Sequence, residues 1–359
     1  MSASIVIKLQ YNIKSMILML DRSIIPEQFR QGFSMIEAIL TNLYRIELPL
    51  PRNPLKSINC YVIIGRNRNL IIDTGMNREE CKAVLFPSIE KLGIDLNKTD
   101  LFVTHLHADH IGLTGDLATD SSRCYFNRVE TKIIKGERHW ADLIEFYLSN
   151  GFPEDDLKRS MASHPGVIYN PRRIVDITIV DDGETIEVGD FLLKCIETPG
   201  HSPGHMCLYE ASKKILFSGD HILFDITPNI TYWPILKDSL RGYLASLDKV
   251  SKLDVSLVLP GHRSSWHNHQ ERIKELKKHH RGRLDEAVAA LRQGNKTAYE
   301  VAPHITWKIE YSDWDKFPIA QKWFAVGETI AHLHYLVQDG VVKKNAVDGK
   351  IVFSLTHTG

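Results

Sequence analysis

An α/β layered fold is the class that the sequence predicts, on three observations. Short apolar runs resembling buried strands recur along the first two thirds of the chain. Helical stretches interleave with them. At 359 residues the chain is also long enough for one large core with a smaller domain beside it. Hydrophobic residues make up 43% and charged residues 25%, an ordinary globular balance that argues against disorder. Lys+Arg and Asp+Glu are equal at 44 each, so no global field favours nucleic acid or an anionic membrane.

The elements follow in chain order. Residues 1–38 read as a loosely attached extension. Within it, 15-SMILML-20 falls far short of the roughly twenty residues of a membrane span. DRSIIPEQF also lacks the small-residue cleavage site of a signal peptide. The strand-like runs 60-CYVIIG-65 and 69-NLIIDTG-75 come next, then 78-REECKAVLFPSIEKLG-93, whose apolar positions recur at helical spacing, then 101-LFVTH-105. Residues 125–170 break this rhythm with two helices parted at Gly151–Pro153. They form an insertion placed either as a lid or pocket wall, or as a peripheral pair. The runs 191-FLLKCIET-198, 214-KILFSGD-220 and 255-VSLVLPGH-262 complete a domain of residues 39–265.

Beyond it, residues 267–293 form a long basic helix, 297–305 a short one and 318–340 an aromatic one. Residues 341–355 alternate around Asp348-Gly349, a hairpin signal. This order resembles a winged helix and defines a C-terminal domain of residues 266–359. The cysteines Cys60, Cys81, Cys124, Cys195 and Cys207 are an odd, scattered set without CxxC spacing. They imply reduced thiols and a cytoplasmic location rather than a disulfide framework.

The chemistry concentrates in 101-LFVTHLHADHIG-112, where His105, His107, Asp109 and His110 fall within six residues. Imidazole nitrogen with carboxylate oxygen is the donor set of a borderline metal such as zinc. Four donors from one loop cannot close two metal sites, so partners must arrive from elsewhere. They come at the ends of later apolar runs, each beside glycine: His201 in 196-IETPGHSPGH-205, Asp220 in 216-LFSGDHI-222, and His262 in 257-LVLPGHR-263.

The order H-x-H-x-D-H, TPGHSPGH, SGD, PGH resembles the metallo-β-lactamase superfamily over roughly residues 40–265. That resemblance implies a four-layer αβ/βα sandwich followed by the small helical domain, with the site at one edge of the sheets. By position, His105, His107 and His201 would hold one metal and Asp109, His110 and His262 a second, with Asp220 bridging. The cofactor implied is two Zn²⁺ per chain, with iron or manganese served by the same ligand types. Asp73 in 71-IIDTG-75 matches an aspartate that orients ligands from outside, and His205 is assigned a similar supporting place. His221 receives no role.

The reaction implied is hydrolysis by water activated between the metals, with Asp109 orienting it and moving a proton. No G-x-S-x-G elbow offers an alternative nucleophile. Asp220 stands where many β-lactamases of the superfamily carry cysteine, which argues against antibiotic hydrolysis. TPGHSPGH is similar to the glyoxalase II-like branch. The expected substrate is therefore a small carbonyl ester: a glutathione or coenzyme A thioester, or a lactone. Trp140, Phe146, Tyr147, Tyr232 and Trp233 form an expected aromatic wall, and Arg263 is placed to meet an anionic group.

The alternative is an endoribonuclease or other phosphodiesterase. Its binding surface would be the basic run 272-RIKELKKHHRGR-283, where Lys274, Lys277, Lys278 and Arg281 share one broad helix face. No membrane partner is expected, and a dimer is compatible with the sequence.

Overall fold

The structure, a computed structural model, describes residues 36–137, 140–309 and 312–356. Seven strands form the first sheet in sequence order: β1 (Ile36–Leu40), β2 (Leu43–Leu50), β3 (Lys56–Ile63), β4 (Asn69–Ile72), β5 (Thr99–Phe102), β6 (Cys124–Asn127) and β7 (Ile177–Val180). The second sheet runs β12-β11-β10-β9-β8. Its strands are β8 (Thr185–Val188), β9 (Phe191–Glu197), β10 (Met206–Glu210), β11 (Ile215–Gly219) and β12 (Leu257–Pro260).

Both faces of the central strands are buried, which is why they read as unbroken apolar runs. In β3, Tyr61 and Ile63 enter the core shared by the two sheets. Cys60 and Val62 face the opposite way, into the core that holds Val84, Leu85 and Ile89 of helix α1 (Glu79–Lys91). In β10, Met206 and Leu208 point into the shared core. Cys207 and Tyr209 pack outward with Leu240, Tyr243 and Leu247 of α3 (Ser239–Val250). Helix, sheet, sheet and helix make four layers.

The C-terminal segment adds α4 (His269–Leu291), α5 (Ile319–Gln338) and the hairpin β13 (Val342–Val347)–β14 (Lys350–Leu355). Between these strands Asp348 and Gly349 both take positive φ, as a two-residue hairpin turn requires. Leu276, Leu284, Trp323, Val326 and Phe353 share one core with Tyr243, Leu247 and Val258, so the C-terminal helices extend the outer layer of the second sheet. Among the described residues no helix is long and apolar enough to cross a membrane.

Several boundaries differ from expectation, among them the insertion expected from residue 125, whose first residues belong to β6 and pair with β7. The first sheet begins at Ile36, because β1 pairs with β2 from that residue on; residues 1–35 of the expected extension lie outside the described residues. The strand expected over 101–105 ends at Phe102, where its pairing to β4 stops, and leaves Val103–His107 as a loop.

Topology places the site. β4, β5 and β6 run parallel, as do β11 and β12. Their carboxyl ends therefore open at one edge, where α/β sheets tend to bind ligands. Asn59 of β3 joins the sheets there, its N–H donating to Gly261 O at 2.7 Å and its Nδ2 to Pro260 O at 2.9 Å.

Candidate metal centre

The loop after β5 enters the single-turn helix α2 (Ala108–Ile111) through His107, which caps it in extended conformation. Asp109 and His110 therefore sit in the first helical turn, while His105 and His107 come from the loop. The turn after β9 brings His201. Gly200 there takes φ 144°, and a Cβ on it would lie 2.4 Å from Tyr243 Cβ, so this approach requires glycine. Asp220 follows β11 and His262 follows β12, one residue past Gly261, whose N–H donates to Gly219 O at 2.8 Å.

All seven predicted donors converge. His105 Nε2, His107 Nδ1 and His201 Nε2 lie 2.9–3.2 Å from one another. Tetrahedral zinc with bonds of 2.0–2.1 Å spaces its donors about 3.3–3.4 Å apart, so this triangle is close to a ligand set. Asp109 Oδ2 lies 3.3 Å from His262 Nε2 and 4.0 Å from His110 Nε2. Asp220 stands between the groups: Oδ1 is 3.5 Å from His110 Nε2, and Oδ2 is 3.4 Å from His262 Nε2 and 3.6 Å from His201 Nε2. His110 Nε2, His262 Nε2 and Asp220 Oδ1 are buried with no hydrogen-bond partner. Polar atoms buried in this way are costly unless something satisfies them.

Outer bonds fix which nitrogen faces inward. His201 Nδ1–H donates to Asn229 O at 2.7 Å, His262 Nδ1–H to Ser57 O at 2.6 Å, and His110 Nδ1–H to Asp73 Oδ2 at 2.8 Å. Thr104 Oγ1–H is donated to the Asp73 carboxylate at 2.9–3.0 Å, so its oxygen accepts from His105 Nδ1–H at 3.1 Å. The inward Nε2 atoms of His105 and His201 are thus bare lone pairs 3.2 Å apart, which repel unless a cation lies between them. His205 is saturated: Nε2 accepts from Asp220 N–H at 3.1 Å, and Nδ1–H donates to Thr198 Oγ1 at 2.8 Å. It holds the Asp220 backbone.

The charges agree with this reading. Burial, then His201, pushes His107 down to about 3. Burial, then His110, holds His105 well below the usual histidine range. Burial works against charge at Asp109 as well, yet His110 and His262 bring it down to about 2. His262 is pulled up to about 10 by Asp220 and Asp109 in spite of burial. The carboxylates around His110 and His262 thus favour positive charge at this point, which a bound cation would supply, displacing protons as metal binding to such ligands does.

The site opens into a cavity of about 960 Å³ lined by His107, Asp109, His201 and Asp220. Its walls are mainly apolar, from Leu143, Tyr147 and Ile168 of the insertion to Ala320 and Phe324 of α5. Tyr232 lines it and stacks on Phe146, centroids 5.2 Å apart. Trp233 stacks on His107 at 6.3 Å and donates Nε1–H to His201 O at 3.0 Å. Tyr147 also belongs to the core and stacks on Trp323 at 4.1 Å.

Arg263 is not among the lining residues. Its guanidinium donates to the main-chain oxygen of Pro54, which is itself part of the cavity wall, and its backbone takes φ 64°. The side chain of Trp140 lies outside the described residues. Sequence reasoning missed Ser57 and Asn229, because a backbone carbonyl leaves no mark in composition, and Thr104, whose proximity to Asp73 appears only once β4 and β5 pair.

Residues 53–262 match the family model described as the metallo-beta-lactamase superfamily, and residues 284–356 match its metallo-beta-lactamase-like C-terminal domain. A metallo-beta-lactamase family protein of Thermus thermophilus superposes with TM-score 0.75 at 27% identity, covering 89% of this chain and all of that one. The human acyl-coenzyme A thioesterase MBLAC2 is 26% identical over 217 residues, 57% of this chain and 72% of its own. An atrochrysone carboxyl ACP thioesterase of Emericella nidulans is 24% identical over 218 residues, 61% of this chain and 55% of its own length.

Proposed function

The chain belongs to the metallo-beta-lactamase superfamily, and from that premise we propose that it hydrolyses acyl thioesters with the help of two divalent cations. His105, His107 and His201 would hold one cation, and Asp109, His110 and His262 the other, with Asp220 shared. Zinc is the ion we assign, with iron and manganese as the alternatives. Two such ions would supply what the side chains lack, acidity enough to lower the pKa of water from about 15.7 toward about 7.

The observation that carries the choice of substrate is the cavity. At about 960 Å³ it stands at the top of the roughly 300–1,000 Å³ range of ligand pockets. Its mainly apolar walls suit a large acyl group better than a short hydroxyacyl one. Relatives named as thioesterases of coenzyme A and of a carrier protein support the same class. Asp109 sits at the mouth of the donor cluster with Oδ2 against His262, where it can orient an attacking water and take its proton. Tyr232 and Trp233 close the wall beside His107 and keep bulk water from the acyl arm. Five unpaired, buried cysteines support a reducing, cytoplasmic setting. The basic face of α4 supports the nuclease alternative less, because Lys277 pairs with Asp248 and Arg281 with Asp285.

The test is metal analysis, then a panel of acyl-coenzyme A esters of rising chain length, acyl glutathiones, a lactone and a labelled RNA. The expected result is two ions per chain and kcat/KM rising about fourfold per added methylene until the cavity is full. Turnover of RNA alone, or of no thioester by protein holding both ions, would overturn the proposal.

A further inference from the structure

The carbonyl that orients His201 is carried by a segment clamped to the C-terminal helices. Asn229 O accepts from His201 Nδ1–H, while its side-chain Nδ2 donates to Glu328 Oε2 at 2.7 Å and to Phe324 O at 3.2 Å, both on α5. Glu328 is buried, and its second oxygen is held by the Arg283 guanidinium of α4. Arg283 in turn lies over the Trp307 ring at 4.4 Å. The same segment is fastened twice more: Tyr232 N–H donates to Gly327 O at 3.1 Å, and a Cβ on Gly327 would lie 2.3 Å from Thr231 Oγ1. Its far end returns to the site, where Trp233 holds His201 O.

We infer that Asn229 and Glu328 are positioning residues for the three-histidine metal group, so that the C-terminal domain is a working part of the metal centre. A ligating histidine is aimed by the acceptor on its other nitrogen, and loss of that partner typically weakens metal binding about 10–100-fold. Here the acceptor is a main-chain carbonyl in a loop with no regular secondary structure, and the Asn229–Glu328–Arg283 chain is what keeps it in place. Both hydrogen-bond partners of the Asn229 side chain, Phe324 O and Glu328 Oε2, lie on α5, outside residues 101–262. The inference rests on His201 being a metal ligand.

The experiment is competition of the full-length protein against a chelating dye for Zn²⁺, with Co²⁺ absorption as a second reading of ligand geometry. Asn229→Ala is the main variant, because it keeps the carbonyl and removes only the anchor. It is expected to weaken one of the two ions about 10–100-fold and to alter the cobalt spectrum. Glu328→Ala should do the same, and Glu328→Gln should restore part of the affinity, since its amide oxygen still accepts from Asn229. Arg241→Ala, which breaks the ion pairs to Asp238 and to Asp339 beyond the end of α5 but touches neither Asn229 nor Glu328, should bind both ions as tightly as the unaltered protein. Wild-type affinity in Asn229→Ala, or an equal loss in Arg241→Ala, would overturn the inference alone. Unaltered protein that takes up no divalent cation would overturn the reading of the site as well.

Discussion

Glu130 sets up a pH dependence that can be worked through from its surroundings. It follows β6 on a helical turn capped by Asn127, whose Oδ1 accepts from Val129 N–H at 2.8 Å. The side chain is fully buried. Oε1 accepts from Ser202 Oγ–H and, at 3.0 Å, from Gly204 N–H, bracing the turn that carries His201; Oε2 has no partner. Burial, only partly offset by those two donors together with the Leu106 main chain and His110, pushes its carboxyl up from 4.5 to about 7.

A carboxyl whose pKa is raised in the folded state holds its proton longer than in the unfolded chain. Its contribution is therefore complete below about pH 4.5 and lost as pH rises through about 7. The rise of about 2.5 units corresponds to roughly 3 kcal/mol. Glu130→Gln keeps an acceptor for Ser202 and Gly204 and cannot ionise. Urea unfolding at pH 5, 6, 7 and 8 should show the unaltered protein losing roughly 2.5 kcal/mol more than this variant across the range, the remainder falling below pH 5. Histidine and metal effects common to both cancel in that difference. Parallel stability curves for the two proteins would refute the reasoning.

Other substitutions probe the site directly. Asp73→Asn removes the charge that accepts from His110 Nδ1–H and Thr104, and should lower metal affinity about 10–100-fold, read by chelator competition. Gly261→Ala would place a Cβ 2.5 Å from Asp220 Oδ1 and 2.8 Å from His110 Cε1. It should reduce the metal content while leaving the circular dichroism spectrum unchanged. Asp109→Asn should lower kcat about 10²–10⁴-fold if its carboxylate moves the proton; full turnover with both ions present would exclude that role.

Strands that end in a donor were legible as apolar runs, most clearly where both faces are buried and the run stops at a glycine, as Ile215–Gly219 does before Asp220. Two of the strands passed over have weak local signals. β2, LYRIELPL, interleaves Arg45 and Glu47 with its apolar residues and contains Pro49; β8, TIEV, is four residues of mixed polarity. Pairing with neighbours, more than their own pattern, makes them strands. Among side chains, Tyr232 was legible as an aromatic near the motifs, whereas the position of the Arg263 guanidinium was not. Adjacency to His262 in sequence said nothing of its positive φ or of its bond to Pro54 O.

By itself the sequence determined the identity and chain order of the seven candidate donors, and its resemblance to a family implied the four-layer frame that delivers them. Donor type, apolar periodicity and turn residues are local properties, written within a few positions of one another. Only the tertiary structure decided which ring nitrogen faces inward, since that depends on acceptors such as Ser57 O and Asn229 O, 205 and 28 residues away from their histidines. It also decided that the cavity is closed by an insertion and a C-terminal helix that meet only after folding. Such contacts are set by packing between distant segments, and no short window of residues encodes them.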